Sequence, residues 1–200
     1  MTMSHIACSA PLHVIQCIAD SNLCLVVRTL LVLGLDPGIA TVGFGVVNIE
    51  GGLQSAVRYG TIKTSAGLAL SDRLDCLFED INSLLEAFRP DAVAIEELFF
   101  NTNISTAISV SHGRGVLLLA CKRFGVPIYE YTPLQVKQAV VGYGRAEKKQ
   151  VMDMVRRLLR LDDIPKPDDA ADALAIALCH ARAVTSLLFA DWSKNQCSTT

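Results

Sequence analysis

Short apolar runs and longer helical stripes alternate along most of this chain, with turn residues between them. Leu31 to Leu35 (LVLGL) is an apolar run of strand length, and Asp36-Pro37-Gly38 ends it in a turn. Thr41 to Glu50 and Leu53 to Lys63 read as two further strands, joined by the hairpin signal Gly51-Gly52. A helical stripe follows: Leu74, Leu77, Phe78, Ile81, Leu84, Leu85 and Phe88 share one face, and Ser71 is placed to cap the helix. Arg89-Pro90-Asp91 stops it. Ala92 to Ile95 is a short strand with Glu96 at its carboxyl end, residues 103–124 form a second helix closed by Gly125, and Val126 to Tyr131 is another strand. Thr132-Pro133 opens a third helix, and Gly142-Tyr143-Gly144 is a flexible break. Glu147 to Leu161 is helical, with Val151, Met154, Val155, Leu158 and Leu159 on one face. After a proline-containing loop at 162–168, a last helix runs from Asp169 to about Leu188.

The order β-β-β-α-β-α-β-α-α-α places three hairpin-connected strands before strands that return through helices. It predicts an α/β fold: a mixed five-stranded sheet, its first three strands antiparallel hairpins, with helices on both faces. One domain spans residues 31–188. Residues 1–30 form an N-terminal extension expected to be poorly ordered, and 189–200 a polar tail expected to fray.

Composition agrees with a folded domain. Hydrophobic residues make up 51% and charged residues 19%, which argues against disorder, and with aromatics at 6% the core must come from Leu, Val, Ile and Ala. Net charge is −2, so the chain is no simple basic coat for nucleic acid. The charge is uneven, however. From Lys137 to Lys166 eight basic residues stand against four acids, enough for a local phosphate-binding face, although a solvated helix face explains the same run. The seven cysteines are odd in number and show no metal-ligand spacing, which fits reduced thiols; Cys76, Cys121 and Cys179 lie in apolar helical patterns and read as core. No apolar run is long enough for a membrane span and no signal peptide is recognisable, so the expected location is cytoplasmic. His112 and His180 lack ligand-spaced partners and read as structural.

Four acids carry the candidate chemistry. Asp36 and Glu96 end two strands, and Asp169 and Asp172 lie three apart at the start of a helix, where both face one way. In α/β sheets, ligands gather at the carboxyl ends of strands. Clustered carboxylates repel unless cations neutralise them, and oxygen-only ligands suit Mg2+ or Mn2+. Each acid alone has a plainer reading: Asp36 as a turn former, Glu96 as an exposed strand end, Asp169 as an N-cap. Their combination, on elements able to converge, points to a metal site.

LGLDPG (33–38), GFGVV (43–47), AIEELFF (94–100), GRGV (113–116), QVKQAVVGYGRAEKKQV (135–151) and DAADALAIA (169–177) resemble, in this order, the motifs of the bacterial RuvC Holliday junction resolvases. The resemblance runs from about Leu31 to Ala183 and implies an RNase H-like fold, in agreement with the strand order. It implies a homodimer that nicks opposed strands of four-way junction DNA and works with the junction-binding RuvA and the motor RuvB. It places metal ligands at Asp36, Glu96, Asp169 and Asp172, with two Mg2+ ions per subunit and Mn2+ able to substitute. Asp168 is not a motif ligand. Phe99 falls on a base-stacking aromatic, and Lys137 and Lys148 on lysines that contact DNA phosphates. Arg114 matches an arginine of the second helix, for which packing, dimer contact and DNA binding are all open.

The chain departs from the family in the length of its N-terminal extension. Gly113 and Gly115 also fall close together within a helix, at a cost of about 1 kcal/mol relative to Ala. Rival readings are another RNase H-like nuclease (RNase H or YqgF-like), an actin-like phosphotransferase, whose opening hairpin also carries Asp-x-Gly, and a catalytically silent DNA-binding module.

Overall fold

A computed structural model describes residues 29–98 and 104–196. Its elements are β1 (Thr29–Asp36), β2 (Thr41–Glu50), β3 (Leu53–Lys63), α1 (Leu70–Phe88), β4 (Ala92–Glu96), α2 (Ile104–Phe124), β5 (Ile128–Tyr131), α3 (Pro133–Val141), α4 (Lys148–Leu158) and α5 (Asp168–Gln196). The sheet order is β3-β2-β1-β4-β5. β1 to β3 pair antiparallel, while β4 joins β1, and β5 joins β4, in parallel. Gly51 and Gly52 both hold positive φ (56° and 85°), as a two-residue hairpin turn of matching twist requires.

Side-chain alternation along the strands divides the core between the two sheet faces. Leu33 and Leu35 of β1, Val42 and Val46 of β2, and Val93 and Ile95 of β4 pack with Leu77, Ile81 and Leu85 of α1 and Leu117, Ala120 and Cys121 of α2. On the other face Val32, Val47, Ile49 and Ala94 meet Val136 and Val140 of α3, Val151 and Val155 of α4, and α5 from Leu174 to Ala181. From Ala170 to Ala181 every residue of α5 except Asp172 is buried. Such all-round burial marks a helix enclosed between the sheet and other helices.

Glycines set how closely the helices approach. A Cβ at Gly34 would collide with the Ala173 carbonyl and one at Gly43 with the Asp169 carbonyl, while one at Gly45 would stand 2.9 Å from the Leu174 side chain. On the opposite face, a Cβ at Gly113 of α2 would strike the Gly38 carbonyl of the turn after β1, whereas one at Gly115 would meet nothing within 4 Å.

Several local expectations are corrected. Ser71 does not cap α1: the helix begins at Leu70, its N-cap Ala69 makes no side-chain cap bond, and the Ser71 hydroxyl turns to Asp72. Cys76 is exposed while Cys121 and Cys179 are buried, because Cys76 lies beside Leu77 in sequence but off the Leu77-Ile81-Leu85 face. α4 ends at Leu158, and Arg160 takes positive φ. α5 continues past Leu188 to Gln196, with no Pro or Gly to stop it. α3 opens at Thr132-Pro133 as expected, with Thr132 as its N-cap in a full capping box with Gln135, and Gly142 closes that helix in the left-handed region. Residues 1–28 of the expected extension and the last four residues of the tail lie outside the described residues.

The two glycines of α2 should respond oppositely to alanine. Gly113→Ala must push the Gly38 turn away and should destabilise the protein by about 1–3 kcal/mol. Gly115→Ala enters open space and should be neutral or stabilising by up to about 1 kcal/mol. Denaturant unfolding of both variants checks the pair, and equal losses would contradict the assignment.

Candidate active site

Strand parity aims the acids. On β1 the residues facing α5 are Val32 and Gly34, so Asp36 at the strand end points the same way; on β4, Ala94 is followed likewise by Glu96. Parallel pairing of Leu35 with Ile95 sets these two strand ends side by side. α5 crosses over the same end of the sheet. Its Asp169 backbone lies on Gly43, and Gly43 is the ladder partner of Asp36. The first turn of α5 is thereby held above Asp36.

The electrostatics record the convergence. Burial, and then the charges of Glu96, Asp172 and Asp169, push the Asp36 carboxyl up to about 8, against a smaller opposing pull from Lys148. Glu96 is raised by burial and by Asp172, while Lys137 and Lys148 draw it down. Asp172 is raised by burial, with Lys148 opposing. Burial pulls the Lys148 ammonium down, but its bonds to Asp172 and Asp168 more than offset this and leave it above its ordinary value. That ammonium bridges Asp172 at 2.9 Å and Asp168 at 3.4 Å. Asp168, outside the motif set, thus enters as a partner of Lys148.

Glu96, Lys137, Lys148 and Asp172 line a cleft of about 220 Å³ whose apolar wall includes Pro133, Val136, Val151 and Ile176. This cleft gives Lys137 of α3 a polar destination beside the acids. The donor chemistry fits a hard divalent cation, since the acids are all-oxygen ligands whose crowding a cation relieves. Among the described residues, however, no three His, Cys, Asp or Glu side chains are gathered tightly enough to hold an ion as they stand. The acids share one end of the sheet without forming a closed cage.

Arg114 does not project from the protein as a free cation. Its Nε donates to the Glu96 carbonyl at 3.1 Å, its guanidinium pairs with Glu130 of β5, and its side chain is 15% exposed. The resemblance set this residue among the DNA-binding candidates, with packing or dimer contact as open alternatives; its bond to Glu96 was not legible in the sequence, because only the fold brings α2 against the end of β4. His180 is buried and bonded through Nδ1 to the Tyr131 hydroxyl at 2.8 Å, the structural role expected of it; burial holds its pKa down at about 4. Phe99 lies outside the described residues.

A carboxyl whose folded pKa is raised makes the native state hold a proton that the unfolded chain gives up. Stability from Asp36 is therefore fully present below the ordinary value of 3.8 and is lost as pH rises toward about 8. In chelator-treated protein, Asp36→Asn should be more stable than wild type near the upper end of that window, by about 1 kcal/mol or more, with no advantage below its lower end. Thermal melts across that range check this, and an Asn variant no more stable at the alkaline end contradicts the crowding.

Comparison with known proteins supplies the family. Residues 32–180 match the family model described as crossover junction endodeoxyribonuclease RuvC. A relative so named from Brevibacillus brevis is 58% identical over 151 residues, 76% of this chain and 91% of the relative. The Thermus thermophilus RuvC structure superposes with a TM-score of 0.71 at 42% identity, covering 76% of this chain and 93% of that one. The T. thermophilus RuvC in complex with Holliday junction substrate superposes with a TM-score of 0.69 at 40% identity, covering 76% and 92%. With these matches over three quarters of its length, the chain belongs to the RuvC family of crossover junction endodeoxyribonucleases.

Proposed function

We propose that the chain resolves four-way DNA junctions by hydrolysing phosphodiester bonds at a centre formed by Asp36, Glu96, Asp169 and Asp172. One observation carries this reading: Asp36 and Glu96 stand on adjacent strand ends, on the face over which α5 delivers the other two acids. These carboxylates would hold two Mg2+ ions, with Mn2+ able to substitute. When bound, such ions supply Lewis acidity toward the scissile phosphate and lower the pKa of an attacking water. Asp36, the most crowded of the four, gives up its proton as cations bind, so cation affinity rises with pH.

Lys137 and Lys148 form the cationic side of the cleft and orient the DNA backbone toward the acids. Lys148 exchanges its bonds to Asp172 and Asp168 for phosphate oxygens as charge on the acids is neutralised. Phe99 follows Glu96 closely in sequence and stacks on an unpaired base at the crossover. Two copies of the chain pair so that two centres address opposed strands. RuvA and RuvB are the junction-binding and motor partners, and the cytoplasm is the site of action. No described helix is long and apolar enough to cross a membrane.

Asp36→Asn and Asp169→Asn, assayed on a synthetic mobile four-way junction with divalent cation, should each lose at least about 100-fold in cutting rate yet bind the junction as wild type does. Undiminished cutting by either variant refutes the assignment of the acids. Lys137→Ala should keep cutting at saturating DNA, bind more weakly, and lower the slope of log affinity against log salt by about one. Titration of junction binding over a range of salt concentrations checks this, and an unchanged slope removes Lys137 from the phosphate contacts.

A further inference from the structure

The helices opposite α5 reach around the ends of β1 and β4 and hold both from behind. On the Asp36 side, the Gly38 carbonyl rests on Gly113 of α2. The next carbonyl, that of Ile39, accepts from the Thr64 hydroxyl at 2.5 Å; Thr64 in turn accepts from Arg73 Nε of α1 at 2.9 Å, and its amide donates to the Ala40 carbonyl at 3.1 Å. On the Glu96 side, the Glu97 amide donates to Tyr131 of β5 at 2.9 Å, and the Glu96 carbonyl accepts from Arg114 of α2 at 3.1 Å. Gly113 and Arg114 are consecutive. One point on α2 therefore supports both strand ends, the first through a close backbone contact and the second through a guanidinium.

The way Arg114 is bonded suits this task. It reaches the carbonyl of Glu96 and leaves the carboxylate alone. Its charge is met by Glu130, which is 47% exposed on the edge strand, so the guanidinium is anchored without neutralising the acid cluster. The charges that draw the Glu96 carboxyl down are those of Lys137 and Lys148.

We propose that Arg114 is a positioning residue for the nuclease centre: with Gly113 it fixes the end of β4, and through it Glu96, relative to the Asp36 turn. The inference rests on the reading of Asp36 and Glu96 as members of one centre. It gives Arg114 no contact with DNA. A displacement of about 1 Å in a reacting group can cost on the order of 100-fold in rate, so loss of the brace acts on the catalysed step and on cation binding, with junction affinity untouched.

The test uses full-length Arg114→Met and Glu130→Gln beside wild type. Three quantities are read: junction affinity in the presence of chelator, single-turnover cutting at saturating junction with Mg2+, and Mn2+ affinity of the DNA-free protein by calorimetry. Arg114→Met should cut at least tenfold more slowly and bind Mn2+ at least threefold more weakly, with junction affinity within twofold of wild type. Glu130→Gln, which frees the anchor at an exposed site, should shift the first two quantities in the same direction by a smaller factor. If Arg114→Met weakens junction binding and leaves the saturated rate intact, Arg114 is a DNA contact and the proposal is overturned. Wild-type rates and Mn2+ affinities in both variants overturn it as well. Should Arg114→Met fail to fold, Glu130→Gln decides alone, and wild-type behaviour there is fatal. If wild type itself cuts no junction, the functional reading falls, and the Mn2+ titrations still judge the brace.

Discussion

The centre exists because α5 lies almost directly on the backbone of β1 and β2. Gly34, Gly43 and Gly45 leave that part of the sheet without side chains where the helix crosses it, and Ala170, Ala171, Ala173 and Ala177 keep the helix side thin. Ordinary side chains at those positions would hold α5 farther off, and Asp169 and Asp172 would leave Asp36 with it. Small residues bury little apolar area each, at about 25 cal/mol per Å². Backbone-to-backbone dispersion across the contact, together with the Leu174, Ile176 and Leu178 side chains, makes up for this. The packing of the core and the geometry of the site are therefore one feature.

That packing works against the charges it brings together. Asp36 is half-buried beside three other acids, and its carboxyl is driven up to about 8 in consequence. A fold selected for stability alone would place an apolar or neutral group there. The chain offsets part of the repulsion with Lys148, and Lys137 stands within reach of Glu96. Both lysines come from the α3–α4 side of the cleft, so the counter-charge can move off the acids without disturbing the sheet. On the proposed reading a divalent cation would relieve the residual repulsion, and metal affinity would then be part of the stability of the folded chain.

Much of this could be read from the sequence wherever the determinant was local or periodic. Gly51-Gly52 gave the hairpin, Thr132-Pro133 the start of α3, and the Leu77-Ile81-Leu85 stripe the buried face of α1. The apolar runs Leu31 to Leu35 and Ala92 to Ile95 placed Asp36 and Glu96 at strand ends, and the family resemblance singled out the same acids. The misses share a cause. Ser71 has the right chemistry for a cap but sits inside the helix, because packing of α1 fixes where its first turn begins. Cys76 is apolar by type, yet its exposure depends on which face α1 turns to the sheet. Arg114 with Glu130, and Lys148 with Asp168, are pairs between residues distant along the chain; no pattern of period 2 or 3.6 encodes them. Gly113 and Gly115 look alike in sequence, and only the Gly38 carbonyl distinguishes them.

The two faces of the sheet consequently have separate duties at its active end. The α5 face brings acids and cationic counter-charge to the cleft. The α1–α2 face supports the strand ends through their carbonyls, by Thr64 with Arg73 behind it and by Arg114. Arginines bound directly to the acids would rigidify them too, but would fill the lone pairs and cancel the charge that a cation needs. Gripping the backbone avoids that conflict: a strand end can be held in place while its carboxylate stays free to exchange a proton, an ammonium or a metal ion. Glu130 completes the arrangement by taking the charge of Arg114 on the far edge of the sheet, so the brace adds stiffness at the centre without adding positive charge there.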